Sequence, residues 1–219
     1  MTRENHWPAK GSKLFISNAP DWQFNACLNW RTASPTSWHL YAKGYRRGAS
    51  ALLRQMLETA VYQDTLVYPI IFLYRQTVEL QLKCIIKRGA LLFDEAIDVT
   101  FDHEIDTLWA ACRKLLDRMQ DGTHGEEDAS AIEAVQANIV EFADLDKQSF
   151  AFRYPETKKG LPSLLKGLSS RRDELQLVNL RHFGEVIEGV VNFLDAVDSE
   201  LQVRVDAKTD AKREGNDGG

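Results

Sequence analysis

Arg75, Glu79, Lys83 and Lys87 recur at four-residue steps within TLVYPIIFLYRQTVELQLKCIIKRG. On a helix this spacing stacks the charges along one face, with Glu79 in reach of Arg75 on one side and Lys83 on the other. Two chemistries fit. Facing water, each pair contributes only about 0.2–0.5 kcal/mol. Set in a groove between helices, Arg75 and Glu79 are a partly buried polar pair, and the guanidinium can also meet an anion. A second group comprises Arg153, Tyr154, Lys158, Lys159, Arg171 and Arg172, in a stretch from Arg153 to His182 with seven basic residues against three acidic. Arginine's planar fork suits bidentate phosphate contact. The structural alternative for Arg153 is a cap on the preceding helix or a partner for Asp144-Leu145-Asp146.

Charge is segregated more than the net of -5 implies. Residues 94–146 hold fifteen acidic and three basic residues, whereas residues 31–57 hold Arg31, Lys43, Arg46, Arg47 and Arg54 with no acid. A basic cluster on an acidic chain attracts a polyanion locally, because attraction is set by charges within a Debye length of about 8–10 Å. The alternative is a solvated surface whose signs balance in space or across a dimer interface.

Common catalytic signatures are absent. The chain has no GxGxxG, GxxxxGK[ST], HExxH or GxSxG, so no nucleotide, zinc-protease or hydrolase motif is encoded and no cofactor is expected. His6, His39, His103, His124 and His182 are scattered, with no two at ligand spacing on one helix; no metal site is expected. Cys27, Cys84 and Cys112 are far apart, which excludes a disulfide framework and a zinc ribbon and fits a reducing cytoplasm. MTRENHWPAKGSK lacks a signal-peptide core, and the longest apolar run, Leu66 to Tyr74, is far below the roughly 20 residues that cross a bilayer.

The elements that position these residues read as an all-α bundle of about five main helices. The 219 residues, 44% hydrophobic, are enough for one core, and only 13 Gly and 6 Pro argue against a loop-rich or β chain. Residues 1–39, with Trp7, Trp22, Trp30 and Trp38, form an irregular aromatic arm expected to pack on the body. The bundle spans 40–202 and a disordered polar tail 203–219. Tyr45, Ala49, Leu52, Met56 and Ala60 mark a helix over 40–63. The next opens at Pro69 and closes at Gly89, with Ile71, Tyr74, Val78, Leu82 and Ile86 inward. A third follows Asp102 as N-cap, with Ile105, Leu108, Cys112, Leu115 and Met119 inward, and a fourth near Glu127 to Phe142 buries Ile132, Val135, Ile139 and Phe142. The last carries Leu180, Phe183, Ile187, Val190, Leu194, Val197 and Leu201, a stripe long enough to predict a homodimer along it or along the helix before it. Gly184 and Gly189 inside it permit close helix approach or are simply tolerated.

The strings YRQTVELQLKCIIKRG, HEIDTLWAACRKLL and SFAFRYP, followed by a regular terminal helix, resemble in that order the HEPN superfamily, the small all-helical domains of prokaryotic defence and toxin–antitoxin systems. The resemblance covers residues 40 to 201. It implies a homodimer joined through the last helices and, in active members, a metal-independent endoribonuclease whose hallmark is an Arg followed after four to six residues by a His. Arg153-Tyr154-Pro155 resembles the degenerate form that keeps the Arg without the His. Arg118 and His124 meet the spacing, in a Gly-flanked loop and at a frequency chance supplies. The resemblance therefore implies Arg153, with Arg75 and Glu79, as catalytic candidates. Arg153, Tyr154, Lys158, Lys159, Arg171, Arg172 and His103 would bind RNA or a nucleotide. His103 is otherwise an exposed helix-start residue, and Tyr154 a packed aromatic or a hydroxyl open to modification. The alternative is a non-catalytic module that dimerises and binds RNA, a nucleotide or a protein partner from a neighbouring gene.

Overall fold

In the computed structural model, residues 7, 10–15, 22–28, 35–96, 103–119, 126–164 and 177–216 are described. Among these residues five α-helices follow one another: α1 Pro35–Thr59, α2 Gln63–Phe93, α3 Ile105–Met119, α4 Glu126–Leu145 and α5 Leu180–Asn216. No strand occurs among the described residues, where an isolated bridge pairs Glu156 with Pro162. The chain divides into two compact units, Met1–Thr32 and Ala33–Gly219. In the first, a 3-10 turn spans Trp22–Phe24 and the side chains of Trp7, Leu14, Phe15, Phe24 and Leu28 are exposed. The helical unit begins earlier than the periodicity predicts, so Trp38 belongs to α1.

α2 is the axis of the bundle, packing against α1, α3 and α5. A helix that must be covered on several sides is apolar nearly all round, and Ile70, Ile71, Tyr74, Val78, Leu82, Cys84, Ile85 and Ile86 are all buried. The stripes expected for α3 and α4 are buried as read. α2 departs from expectation at both ends. Pro69 lies inside the helix. Gly89 does not end it: an added Cβ there would sit 2.6 Å from a methyl of Leu115, so this glycine lets α3 approach α2. The helix ends at Asp94, in the left-handed region at φ 53°, whose N–H bonds to the Ala90 carbonyl.

The polar tail predicted to be disordered is helical as far as Asn216. Lys208 Nζ donates to the carbonyls of Leu92 at 2.5 Å and Leu91 at 3.2 Å, and pairs with Asp94 at 2.8 Å. Lys212 pairs with Asp94 at 3.2 Å. Lysines placed on the orphan carbonyls of a helix C-terminus are favoured by hydrogen bonding and by the helix dipole, so the end of α2 gives the end of α5 something to hold.

The long stripe of α5 is consumed within the chain. Leu180, Ile187, Val190, Leu194, Val197 and Leu201 are buried against the rest of the bundle, so this stripe is not an open dimer face. The two glycines of α5 differ: a Cβ at Gly184 would lie 2.4 Å from Leu53 Cδ2, whereas one at Gly189 would meet nothing within 4 Å. The first sets the approach of α1; the second is tolerated.

Candidate functional site

Three of the four charges in the α2 row are in the interior, contrary to the solvated alternative, and Lys87 is half-buried. Arg75, Glu79 and Lys83 are 0%, 2% and 3% exposed. Glu79 is shared among three partners: Lys83 Nζ at 2.7 Å, Arg75 Nη1 at 3.2 Å and His103 Nδ1 at 2.9 Å. Burial opposes ionisation of its carboxyl and is the largest single influence on it. Lys83, His103 and Arg75 outweigh that and hold it below the ordinary carboxylate range. Burial lowers the Arg75 pKa, against the pull of Glu79 and Asp146. Arg75 Nη2 also donates to the carbonyls of His103 at 2.5 Å and Lys147 at 3.4 Å. The guanidinium thus ties α2 to the entry of α3 and the exit of α4. Its Nε is buried with no hydrogen-bond partner among the described residues, a cost acceptable only where the remaining bonds hold the group in place.

His103 stands at the rim of this network. Its side chain is 59% exposed, and a Glu79 oxygen 2.9 Å from Nδ1 orients the ring. The chemistry available is that of an imidazole oriented by a buried carboxylate.

After α4, Asp146 holds the turn, its Oδ1 accepting the backbone N–H of Phe150 at 2.6 Å and of Ala151 at 2.9 Å. Gln76 donates to Ser149 Oγ at 2.6 Å, pinning the turn to α2. Arg153 and Tyr154 project from it, both exposed. Arg153 lies over the rings of Phe72 at 5.8 Å and Tyr154 at 5.6 Å, and Tyr154 lies against Phe150 at 4.8 Å. Among the described residues no carboxylate pairs with Arg153, so Asp146 serves the backbone rather than this side chain. Lys158 and Lys159 are exposed on the following turn. Phe72, Arg75, Gln76 and Glu79 share one face of α2, because residues three and four apart align. That face gathers Arg153, Tyr154, Arg75, Glu79 and His103 along about two helical turns. Arg171, Arg172, His124 and Asp102 lie outside the described residues. Arg118 is held by Glu95 at 2.9 and 3.0 Å and stacks on Phe93 at 3.8 Å.

Two further polar clusters were not singled out by spacing. Arg46 of α1 bonds Glu188 through Nε at 3.0 Å and through Nη2, Asn192 at 2.5 Å, and Asp195 at 2.7 Å. Glu188 also accepts from Tyr74 at 2.7 Å and Ser50 at 2.9 Å. Burial works against its ionisation most strongly, yet Arg46, Tyr74 and Ser50 hold its carboxyl below the ordinary range. The Tyr74 hydroxyl is pushed up to about 12, mainly by burial. The second cluster centres on buried Asp198, which accepts from Arg88 at 2.5 Å and lies 3.2 Å from His39. The acid-free run 31–57 was the one signal for Arg46; its partners lie more than a hundred residues away in sequence.

Compared with family models, with curated proteins and with solved structures, the chain matches none.

Proposed function

We propose that the chain is a HEPN-like helical module that binds RNA or a nucleotide through the Arg153–Tyr154 turn without cleaving it. One observation carries the reading: an exposed arginine and tyrosine stand together on a turn pinned to the bundle, while Arg75 and Glu79 are sealed into the fold. A cation beside an exposed aromatic side chain is the combination that stacks an unpaired base and meets its phosphate, and Lys158 and Lys159 extend it along a backbone. The resemblance supplies the setting, a cytoplasmic defence or toxin–antitoxin protein with a partner from a neighbouring gene. Homodimerisation belongs to the same reading, on a face other than the buried α5 stripe, and light scattering tests it.

The endoribonuclease reading draws on one geometric fact, the His103 ring oriented by Glu79 at 2.9 Å. Such a pair can take a proton from a 2′-hydroxyl, with Arg153 as the cation near the phosphate.

A single experiment addresses both. Labelled single-stranded RNA is titrated with the protein in EDTA, and anisotropy and RNA integrity are followed together. The binding reading expects intact RNA and an affinity that falls by roughly tenfold in Arg153→Ala/Lys158→Ala/Lys159→Ala, on all sequences alike. Cleavage that persists in EDTA and vanishes in His103→Ala would instead establish the nuclease. Unaltered binding by the triple variant removes the Arg153 turn as the site.

A further inference from the structure

A second basic surface lies on α1, assembled from residues the Arg153 turn does not use. Lys43, Arg47 and Arg54 line an open pocket of about 400 Å³ together with Arg46, Ser50 and Asp195 of α5. The three cations are exposed. Their spacing puts them on one helical face, over about 16 Å of axis at 1.5 Å per residue. Among the described residues none of the three has a carboxylate partner, while Arg46 between them is fully engaged by Glu188 and Asp195. That division of labour matters. Arg46, Ser50 and Tyr74 hold Glu188, and Arg46 also holds Asp195, so the two acids nearest the pocket are engaged by Arg46 and leave the three exposed cations unpaired among the described residues. Lys43 and Arg47, one turn apart with the same sign, repel by a few tenths of a kcal/mol, so the row does nothing for the fold.

We propose that this α1 pocket is a separate anion site that binds consecutive phosphate groups, as a nucleoside polyphosphate or an RNA strand presents them. Each phosphoryl group offers several acceptor oxygens and more charge than a carboxylate in the same space, and arginine forks meet those oxygens in pairs. The volume is at the lower end for small-ligand cavities, about 300–1,000 Å³. The length of the row exceeds the spacing of one phosphate, about 3.4 Å of axis along one duplex strand, so several are bridged at once.

The test uses the full chain with two probes, inorganic tripolyphosphate by calorimetry and single-stranded RNA by anisotropy, each between about 50 and 200 mM salt. Lys43→Gln/Arg47→Gln/Arg54→Gln is expected to weaken binding of a probe by on the order of tenfold or more and to flatten its salt dependence. Asp195→Asn, which removes an acid from the pocket lining, is expected to tighten binding severalfold, a gain that misfolding could not produce. Tripolyphosphate binding without RNA binding assigns a nucleotide as the source; RNA binding without tripolyphosphate assigns a strand. Failure of wild-type protein to bind either probe overturns the proposal, as does a triple variant that binds like wild type. Tripolyphosphate binding is expected to be unchanged in Arg153→Ala/Lys158→Ala/Lys159→Ala, so the two sites fail independently.

Discussion

Two helices of this chain carry charges at helical spacing, and they use them in opposite ways. On α2, Arg75, Glu79 and Lys83 alternate in sign and are buried; on α1, Lys43, Arg47 and Arg54 share one sign and face water. Alternation makes burial affordable, since each charge desolvated within the bundle finds an opposite charge one turn away and a fourth group, His103, at the rim. A single-signed row has no such route inward, and in this chain it stays outside, where a polyanion can reach it. Charge sign along a helix face thus separates buried scaffold from open surface here better than charge density does.

The sharpest test of that contrast removes the shared acid. Glu79→Gln leaves Lys83 and Arg75 buried without their counter-charge, so it should lose about 3–5 kcal/mol, read from urea unfolding. The same carboxylate makes stability pH-dependent. Its folded pKa is lowered, so its contribution is complete above the unfolded value near 4.5 and is lost as pH falls through the folded one, with Glu188 acting in the same direction. Wild-type unfolding midpoints should therefore drop below about pH 4.5, and drop less steeply in Glu79→Gln. A variant as stable as wild type would mean that the α2 row is not part of the scaffold.

A middle-sized effect is expected where α5 meets the helix that carries the open row. Gly184→Ala drives a Cβ into Leu53. Overpacking of about 1–3 kcal/mol, less the roughly 1 kcal/mol that alanine gains over glycine in a helix, leaves a net change between zero and a loss of about 2 kcal/mol. Gly189→Ala meets nothing and should stabilise by up to about 1 kcal/mol. Thermal melts of both variants decide it, and equal shifts would show that α1 and α5 are not in close register at Gly184.

The smallest effect belongs to the open row itself. Lys43→Gln or Arg47→Gln should change stability by no more than about 0.5 kcal/mol, with a slight gain from relieved repulsion. A loss above 1 kcal/mol in chemical denaturation would place these cations among the scaffold after all.

The sequence by itself determined the helical class and the inward stripes of α3, α4 and α5, because a 3.6-residue apolar period is a local property that any packing partner must satisfy. The residues of the candidate site were legible as types: Arg75, Glu79, His103, Arg153 and Tyr154 all stand on or against one face of α2. Their exposure was not. Whether a four-residue ladder meets water depends on how many helices surround its own, and α2, flanked by α1, α3 and α5, hides Arg75 while the turn after α4 leaves Arg153 open. Helix ends were misread for the same reason. Gly89 looks like a stop until Leu115 arrives beside it, and the polar tail looks disordered until Lys208 finds the Leu92 carbonyl, 116 residues earlier. Only the tertiary structure decided these, since a cap, a counter-charge or a close approach supplied from the far end of the chain leaves no mark in the local pattern.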